Sequence, residues 1–209
     1  MFIVFEGLDG SGKTTQIELL SNRLQAVGVE VVLTAEPTEL PTGRLIRDIL
    51  EHRVTAHPQA LAALYAADRI EHLHHPETGI LAELTAGKTV ISSRYYFSSL
   101  AYQAEGDDLA WIAALNQQAK NTKTADLTFF LDLTPEVSME RITRNRQQVD
   151  LFENVEKLTR VRTAFKKGFA YWGDEKENIH IINAEQSIQA VAEEIWHVVK
   201  QAGSLSDLE

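Results

Sequence analysis

The chain has no cysteine among its 209 residues, which excludes disulfides, thiolate catalysis and cysteine-ligated metal and is compatible with a reducing compartment. No hydrophobic run approaches the roughly 20 residues that span a bilayer, and no basic region precedes the first apolar run, so the expected location is the cytoplasm. Positive charge is in deficit: 20 Lys and Arg stand against 30 Asp and Glu, a formal net charge of −10. Affinity for a nucleic-acid backbone comes from neutralising its phosphates, so neither nucleic acid nor membrane is an expected partner, and an anionic ligand must be met by local positive charge. Internal repeats, low-complexity tracts and linkers are also missing. A hydrophobic content of 44% is enough for the core of one domain over 1–209, with Ser204 to Glu209 a frayed acidic tail.

What the chain does have is Gly7-Leu8-Asp9-Gly10-Ser11-Gly12-Lys13-Thr14, placed after the strand-like run Phe2 to Phe5 and before the helical run Gln16 to Ala26. This is the context of a phosphate-binding loop. Its backbone N–H groups point at phosphate oxygens, and the helix N-terminus adds partial positive charge. Lys13 reaches the β- and γ-phosphates, and Thr14 is positioned to hold Mg²⁺. A nucleoside triphosphate is the expected ligand.

Four further strand-like runs follow: Val29–Leu33, Thr89–Ile91, Leu127–Leu133 and Ile179–Ile182, separated by segments long enough for helical crossovers. The pattern predicts an α/β fold, a P-loop NTPase-type parallel five-stranded sheet flanked by helices on both faces. Ligands then bind beyond the carboxyl ends of the strands. There the chain carries the phosphate loop, then Glu36-Pro37-Thr38, then Ser92-Ser93-Arg94-Tyr95-Tyr96, then a helix leading to Arg141, Arg144 and Arg146 with Asp150 and Glu153 beyond. A structural protein has little reason to gather arginines at these points.

Taken in order, these pieces resemble the bacterial thymidylate kinases, P-loop nucleoside monophosphate kinases. The likeness rests on the loop through Thr15-Gln16, Glu36-Pro37 with Gly43-x-x-Ile46-Arg47, Tyr65-Ala66-Ala67-Asp68-Arg69, Arg94-Tyr95 with Ser98-Ser99-Leu100-Ala101-Tyr102-Gln103, and Asp126-Leu127-Thr128 through Leu131-Asp132. It covers nearly the whole chain.

The resemblance implies transfer of the γ-phosphoryl of ATP to dTMP, with ATP and Mg²⁺ bound and a homodimer formed. The ATP-binding set it implies is Gly7, Gly10, Ser11, Gly12, Lys13, Thr14 and Thr15 with Arg141 and Arg144. Catalysis would rest on Asp9, Lys13, Arg94 and Arg146. The acceptor set is Asp9, Glu36, Pro37, Arg47, Tyr65, Arg69, Arg94, Ser99, Tyr102 and Gln103. Within it Asp9 would take the deoxyribose 3′-OH, Arg69 the thymine edge and Arg94 the acceptor phosphate, with Arg47 a second candidate. Tyr65 would stack on the base one helical turn before Arg69, and Tyr102 would crowd out a ribose 2′-OH. From the residues alone, Tyr65 and Tyr102 read equally as core aromatics and Arg69 as an ion-pair partner of Asp68 or Glu71.

Because the phosphate loop carries no basic residue but Lys13, the resemblance puts the transition-state cation in a short lid over about 141–153, on Arg141, Arg144 or Arg146. Two positions depart from the family pattern, which has Asp where this chain has Ser93 and Arg where it has Ala35. A phosphate acceptor, with a second pKa of about 6, is largely ionised at neutral pH and needs no general base, whereas a nucleoside hydroxyl does. Two alternatives stay open at this point: a kinase for another deoxynucleotide or deoxynucleoside, and a non-catalytic nucleotide-binding module. His72, His74 and His75 lie before Pro76 at a helix end, where histidines face solvent or cap carbonyls rather than hold metal. Leu61 to Leu64 and Trp111 to Leu115 are candidates for a dimer face.

Overall fold

The computed structural model describes residues 1–104, 108–145, 154–173 and 177–203. Among them, β1 (Phe2–Gly7), β2 (Val31–Ala35), β3 (Thr89–Ser93), β4 (Leu127–Asp132) and β5 (Ile179–Asn183) form one sheet in the order β2-β3-β1-β4-β5, every pairing parallel. Phe2 lies opposite Val90 on one side, and Ile3 lies opposite Leu127 on the other. Every residue of β1 is buried, which requires cover on both faces of the central strand and explains its unbroken apolar run. The edge strands read differently, and Leu33 and Ile181 stand exposed there.

The crossovers are helical. α1 (Lys13–Ala26) follows β1; α2 (Pro41–Leu50), α3 (Pro58–His74) and α4 (Ile80–Thr85) follow β2; α5 (Tyr96–Tyr102) and α6 (Leu109–Thr122) follow β3; α7 (Pro135–Asn145) and α8 (Val155–Trp172) follow β4; α9 (Ile188–Ala202) closes the chain. α1 packs on α9 and the sheet, while α5 packs on α8 and reaches β1. Local signals set several starts: Pro58 at the first turn of α3, and Asn154 and Ser187 accepting backbone N–H bonds ahead of α8 and α9. None of the described helices is long and apolar enough to cross a membrane.

β2 lies two residues later than the apolar run suggests, because the Val29 N–H is committed to the Leu24 carbonyl at the end of α1. The connection after β1 runs toward β2, and the one after β3 returns across β1 to β4. Their carboxyl ends therefore diverge, and the crevice between them is where an open α/β sheet takes its ligand.

Candidate functional site

α1 begins at Lys13, inside the glycine-rich motif, with Gly12 as its cap at φ 91° and Gly10 at φ 73°. Those left-handed values suit glycine. At Gly10 space is the second reason, since a Cβ would meet the Ser138 carbonyl of α7 at 2.9 Å. Ser138 is itself buried and donates its hydroxyl to the Asp9 carbonyl at 2.6 Å, tying α7 to the loop. Above the loop lies a cavity of about 590 Å³ that Gly10, Ser11, Gly12, Lys13, Thr14 and Thr15 line together with Asp9, Ser93, Arg94 and Arg141. Gly7 contributes from beneath, its carbonyl accepting from Lys13 Nζ at 3.0 Å, beside the Leu8 carbonyl at 2.8 Å. Burial pulls the Lys13 ammonium down to about 7, the Arg94 charge pushes the same way, and Asp9 and Glu6 oppose them.

Arg94 follows β3 in a left-handed conformation, φ 74°. Its guanidinium donates to Asp9 at 2.6 Å and to Ser98 Oγ at 3.1 Å, and it lies over the Tyr102 ring at 4.8 Å. Ser98 in turn donates to the fully buried Glu6 at 2.5 Å, and Glu6 also accepts the Tyr95 and Ser98 backbone N–H groups. Burial raises the Glu6 carboxyl above its ordinary range despite these donors. Burial likewise pushes the Tyr102 hydroxyl up to about 12, so it stays protonated. Asp9 and Arg94, from two different strand ends, thus meet at the mouth of the phosphate loop.

The residues expected on the acceptor side form a second network. Arg69 is only 1% exposed. Its Nε and Nη2 hold the Glu36 carboxylate at 2.8 and 2.6 Å, its Nη1 meets Ser99 Oγ at 3.1 Å and Asn116 Oδ1, and Nη2 also reaches the Tyr95 carbonyl at 3.1 Å. Each nitrogen of the fork is thus engaged, so a ligand reaching Arg69 would exchange with one of these neighbours. Its counter-ion is Glu36 rather than Asp68 or Glu71. Residues one or two apart do not face each other along a helix, and Asp68 turns instead to Thr38 and Thr42, accepting at 2.5 to 3.1 Å.

Arg47 donates to the Pro37 and Thr38 carbonyls at 2.7 and 2.6 Å and pairs with Glu39. Gly43 lets α2 pack directly on the Thr38 backbone, where a Cβ would collide. Tyr65 is half-buried, its hydroxyl pushed up by burial, with Arg94, Arg69, Asp68 and Asp9 close enough to act on it. Gln103 ends α5, its N–H bonded to the Ser99 carbonyl. One expectation is corrected: His72 does not face solvent. It is buried, its ring hydrogen-bonded to Thr34 of β2 and to Glu36 just beyond that strand. His74 is exposed, and His75 accepts from the Thr78 N–H at 3.2 Å.

On the lid side, Arg141 reaches across the cavity to the Ala184 carbonyl at 3.0 Å. Arg144 is exposed and pairs with Glu140 one turn back. Arg146, Asp150 and Glu153 lie outside the described residues, as does most of the expected lid.

Comparison with known proteins bears on this arrangement directly. A family model described as "Thymidylate kinase" matches residues 5–195. The chain belongs to the thymidylate kinase family. It is 42% identical to a "Probable thymidylate kinase" of Thermococcus kodakarensis over 96% of this chain and 97% of that protein. It is 40% identical to a "Probable thymidylate kinase" of Pyrococcus horikoshii over 95% of each, and 36% identical to a "Thymidylate kinase" of Leptospira interrogans over 80% of each. The similarity therefore extends beyond the bacterial proteins to archaeal ones.

The structure also brings in residues the sequence reading passed over, Glu6, Ser138 and Asn116, and gives Thr38 and His72 buried partners. Glu6 carried a usable signal, an ionisable residue inside an otherwise apolar central strand. For Asn116 no local pattern existed, since it meets Arg69 across 47 positions.

Proposed function

We propose that this protein is an ATP:dTMP phosphotransferase, a nucleoside monophosphate kinase making dTDP for dTTP synthesis. The observation that carries the reading is the meeting of Asp9 and Arg94 at the mouth of a phosphate-binding loop, in a chain of the thymidylate kinase family. Phosphoryl transfer asks for alignment and charge stabilisation rather than covalent chemistry, and the residues present suit both.

The loop from Gly7 to Thr15 receives the ATP phosphates through backbone N–H groups and the N-terminus of α1. Lys13 exchanges the carbonyls it now holds for phosphate oxygens and regains its full charge. Arg94 takes the acceptor phosphate, releasing part of its hold on Asp9, which then accepts from the deoxyribose 3′-OH. Tyr65 stacks on the base, Ser99 and Gln103 line the sugar and base pocket, and Tyr102 packs where a 2′-OH would sit. Arg69 exchanges a neutral protein partner for the thymine edge, held meanwhile by Glu36. Arg47, on the carbonyls of Pro37 and Thr38, shapes the loop over the acceptor.

Thr14 is exposed at the cavity floor beside Ser93 and Asp9, an all-oxygen set that suits Mg²⁺. Among the described residues no cluster of three His, Asp or Glu could hold an ion alone, so Thr14 and the phosphates would hold it together. Held there, Mg²⁺ would supply charge neutralisation for phosphoryl transfer. Arg141 already lines the cavity, and we assign it, with Arg144 and Arg146, to the cationic side of a lid that closes over the nucleotides and excludes water. One domain over 1–209 carries these parts, in the cytoplasm and as a homodimer. The dimer reading is supported by partly exposed Trp111 on α6 with half-buried Leu61 and Leu64 on α3, which packs against α6, and sedimentation at a mass twice that of the chain would test it.

The deciding experiment is ADP formation from ATP and Mg²⁺ with dTMP, dUMP, thymidine or no acceptor. Turnover that depends on dTMP and not on thymidine is expected. Turnover with thymidine alone would replace the reading with a nucleoside kinase, and none with any acceptor would replace it with a nucleotide-binding module.

A further inference from the structure

Arg69 is held along one edge by a carboxylate, and that carboxylate is itself held. Glu36 Oε2 accepts from the Nε/Nη2 edge of the guanidinium. Glu36 Oε1 accepts from His72 Nδ1 at 3.0 Å, and His72 Nε2 meets Thr34 Oγ1 at 2.7 Å. A carboxylate paired with arginine only accepts, so Nδ1 carries the proton; with the ring neutral, Nε2 then accepts from the Thr34 hydroxyl. Thr34 sits in β2 in register with Ser92 of β3, so the chain of contacts ends on the sheet. Arg69 and His72 lie three residues apart on one face of α3 and flank the same carboxylate.

The two edges of the fork are unlike. The Nε/Nη2 edge carries the ionic contact, whereas Nη1 carries only neutral partners, Ser99 and Asn116. A contact with charge on both partners is stronger than one from the guanidinium to a neutral acceptor, so the Nη1 edge is the one able to exchange with a ligand.

We propose that His72 is a positioning residue for the acceptor site: braced by Thr34, it fixes Glu36, and through Glu36 it holds the guanidinium of Arg69 with its Nη1 edge turned to the substrate pocket. The proposal rests on Arg69 contacting the acceptor, and the test separates the two ideas. His72→Leu removes the donor to Glu36. His72→Asn keeps an N–H near the Nδ1 position without the ring, and Thr34→Val removes only the outer contact.

The KM for dTMP in His72→Leu should rise by about tenfold, the scale of one hydrogen bond to a charged group, with kcat and the KM for ATP within about threefold of wild type. His72→Asn should restore most of the loss, and Thr34→Val should show a smaller rise of the same kind. A dTMP KM unchanged in His72→Leu, equal rises for both substrates, or an Asn variant as impaired as the Leu variant would each overturn the proposal. The ¹⁵N resonance of Arg69 Nε–H reads the brace with no substrate present. Its exchange with water should be slow in wild type and His72→Asn and fast in His72→Leu; unchanged exchange would also overturn the proposal. A braced Arg69 whose replacement by Ala leaves the dTMP KM alone would instead remove Arg69 from the acceptor site.

Discussion

The donor cavity and the acceptor network lie within one crevice yet are built in opposite ways. The donor side is mostly backbone: a loop of N–H groups and a helix end surround open space of about 590 Å³. The acceptor side is side chains already paired with each other, Arg69 with Glu36, Arg94 with Asp9 and Arg47 with two carbonyls. A backbone site is present as soon as the strand–loop–helix unit folds. A side-chain site of this kind keeps its cations compensated until a ligand replaces the internal partner, so on the proposed reading acceptor recognition is an exchange of side-chain contacts, whereas donor recognition adds contacts to backbone N–H groups and exchanges only those of Lys13.

The largest effect that would break this contrast comes from the buried pair. Glu36→Gln leaves the Arg69 charge without its counter-ion and should cost about 3–5 kcal/mol of stability in urea unfolding. A loss below about 1 kcal/mol would mean that Arg69 does not depend on Glu36. Asp9→Ala leaves the donor loop intact while removing the group that links both sides. Turnover should fall by about 100-fold, with the affinity for a non-hydrolysable ATP analogue within about threefold of wild type. Unchanged turnover would take Asp9 out of the reaction.

Lys13 sharpens the comparison from the donor side. In the empty loop its pKa is lowered to about 7; beside phosphates it returns toward the ordinary value of about 10.4. The bound state then carries more protons, so affinity for the ATP analogue falls as pH rises from 7 toward 10. Calorimetry at about pH 8.5 in buffers of different ionisation enthalpy should show uptake of nearly one proton per nucleotide, and at about pH 6 almost none. For stability the sign is the reverse: the unfolded chain binds the extra proton, so the empty protein gains stability across that same rise in pH. Proton uptake that survives in Lys13→Met would assign the linkage to another group. The smallest effect is expected at Ser93, where Asp would add a carboxylate to the cavity edge. Ser93→Asp should lower the Mg²⁺ needed for half-maximal rate by about threefold, and an unaltered Mg²⁺ dependence would show that the position does not influence the ion.

The same contrast decides what was legible in the sequence. The phosphate loop and five strands could be read because each is contiguous: apolar runs, glycines at fixed offsets, and a helix that follows at once. The pairing on the acceptor side could not, because it joins distant positions. Arg69 has acidic residues beside it in sequence, yet its partner lies 33 positions away. His72 sits in a polar, helix-ending stretch that looks solvated, yet it is buried against Thr34 and Glu36, which lie 38 and 36 positions away. β2 itself was displaced by two residues because a run of valines does not reveal that Val29 is spent on closing α1.

Arg94 carries backbone strain at the mouth of the crevice. Its peptide is pinned in the left-handed region by its own N–H on the Phe5 carbonyl and by the Ser92 hydroxyl on its carbonyl. A side chain there costs about 1–2 kcal/mol that glycine does not incur. The substitution that relaxes this backbone is therefore the one that removes the guanidinium from the crevice. Glycine at position 94 would lose the contacts of that guanidinium with Asp9, Ser98 and Tyr102 as well, so the strain persists where those contacts stand against it.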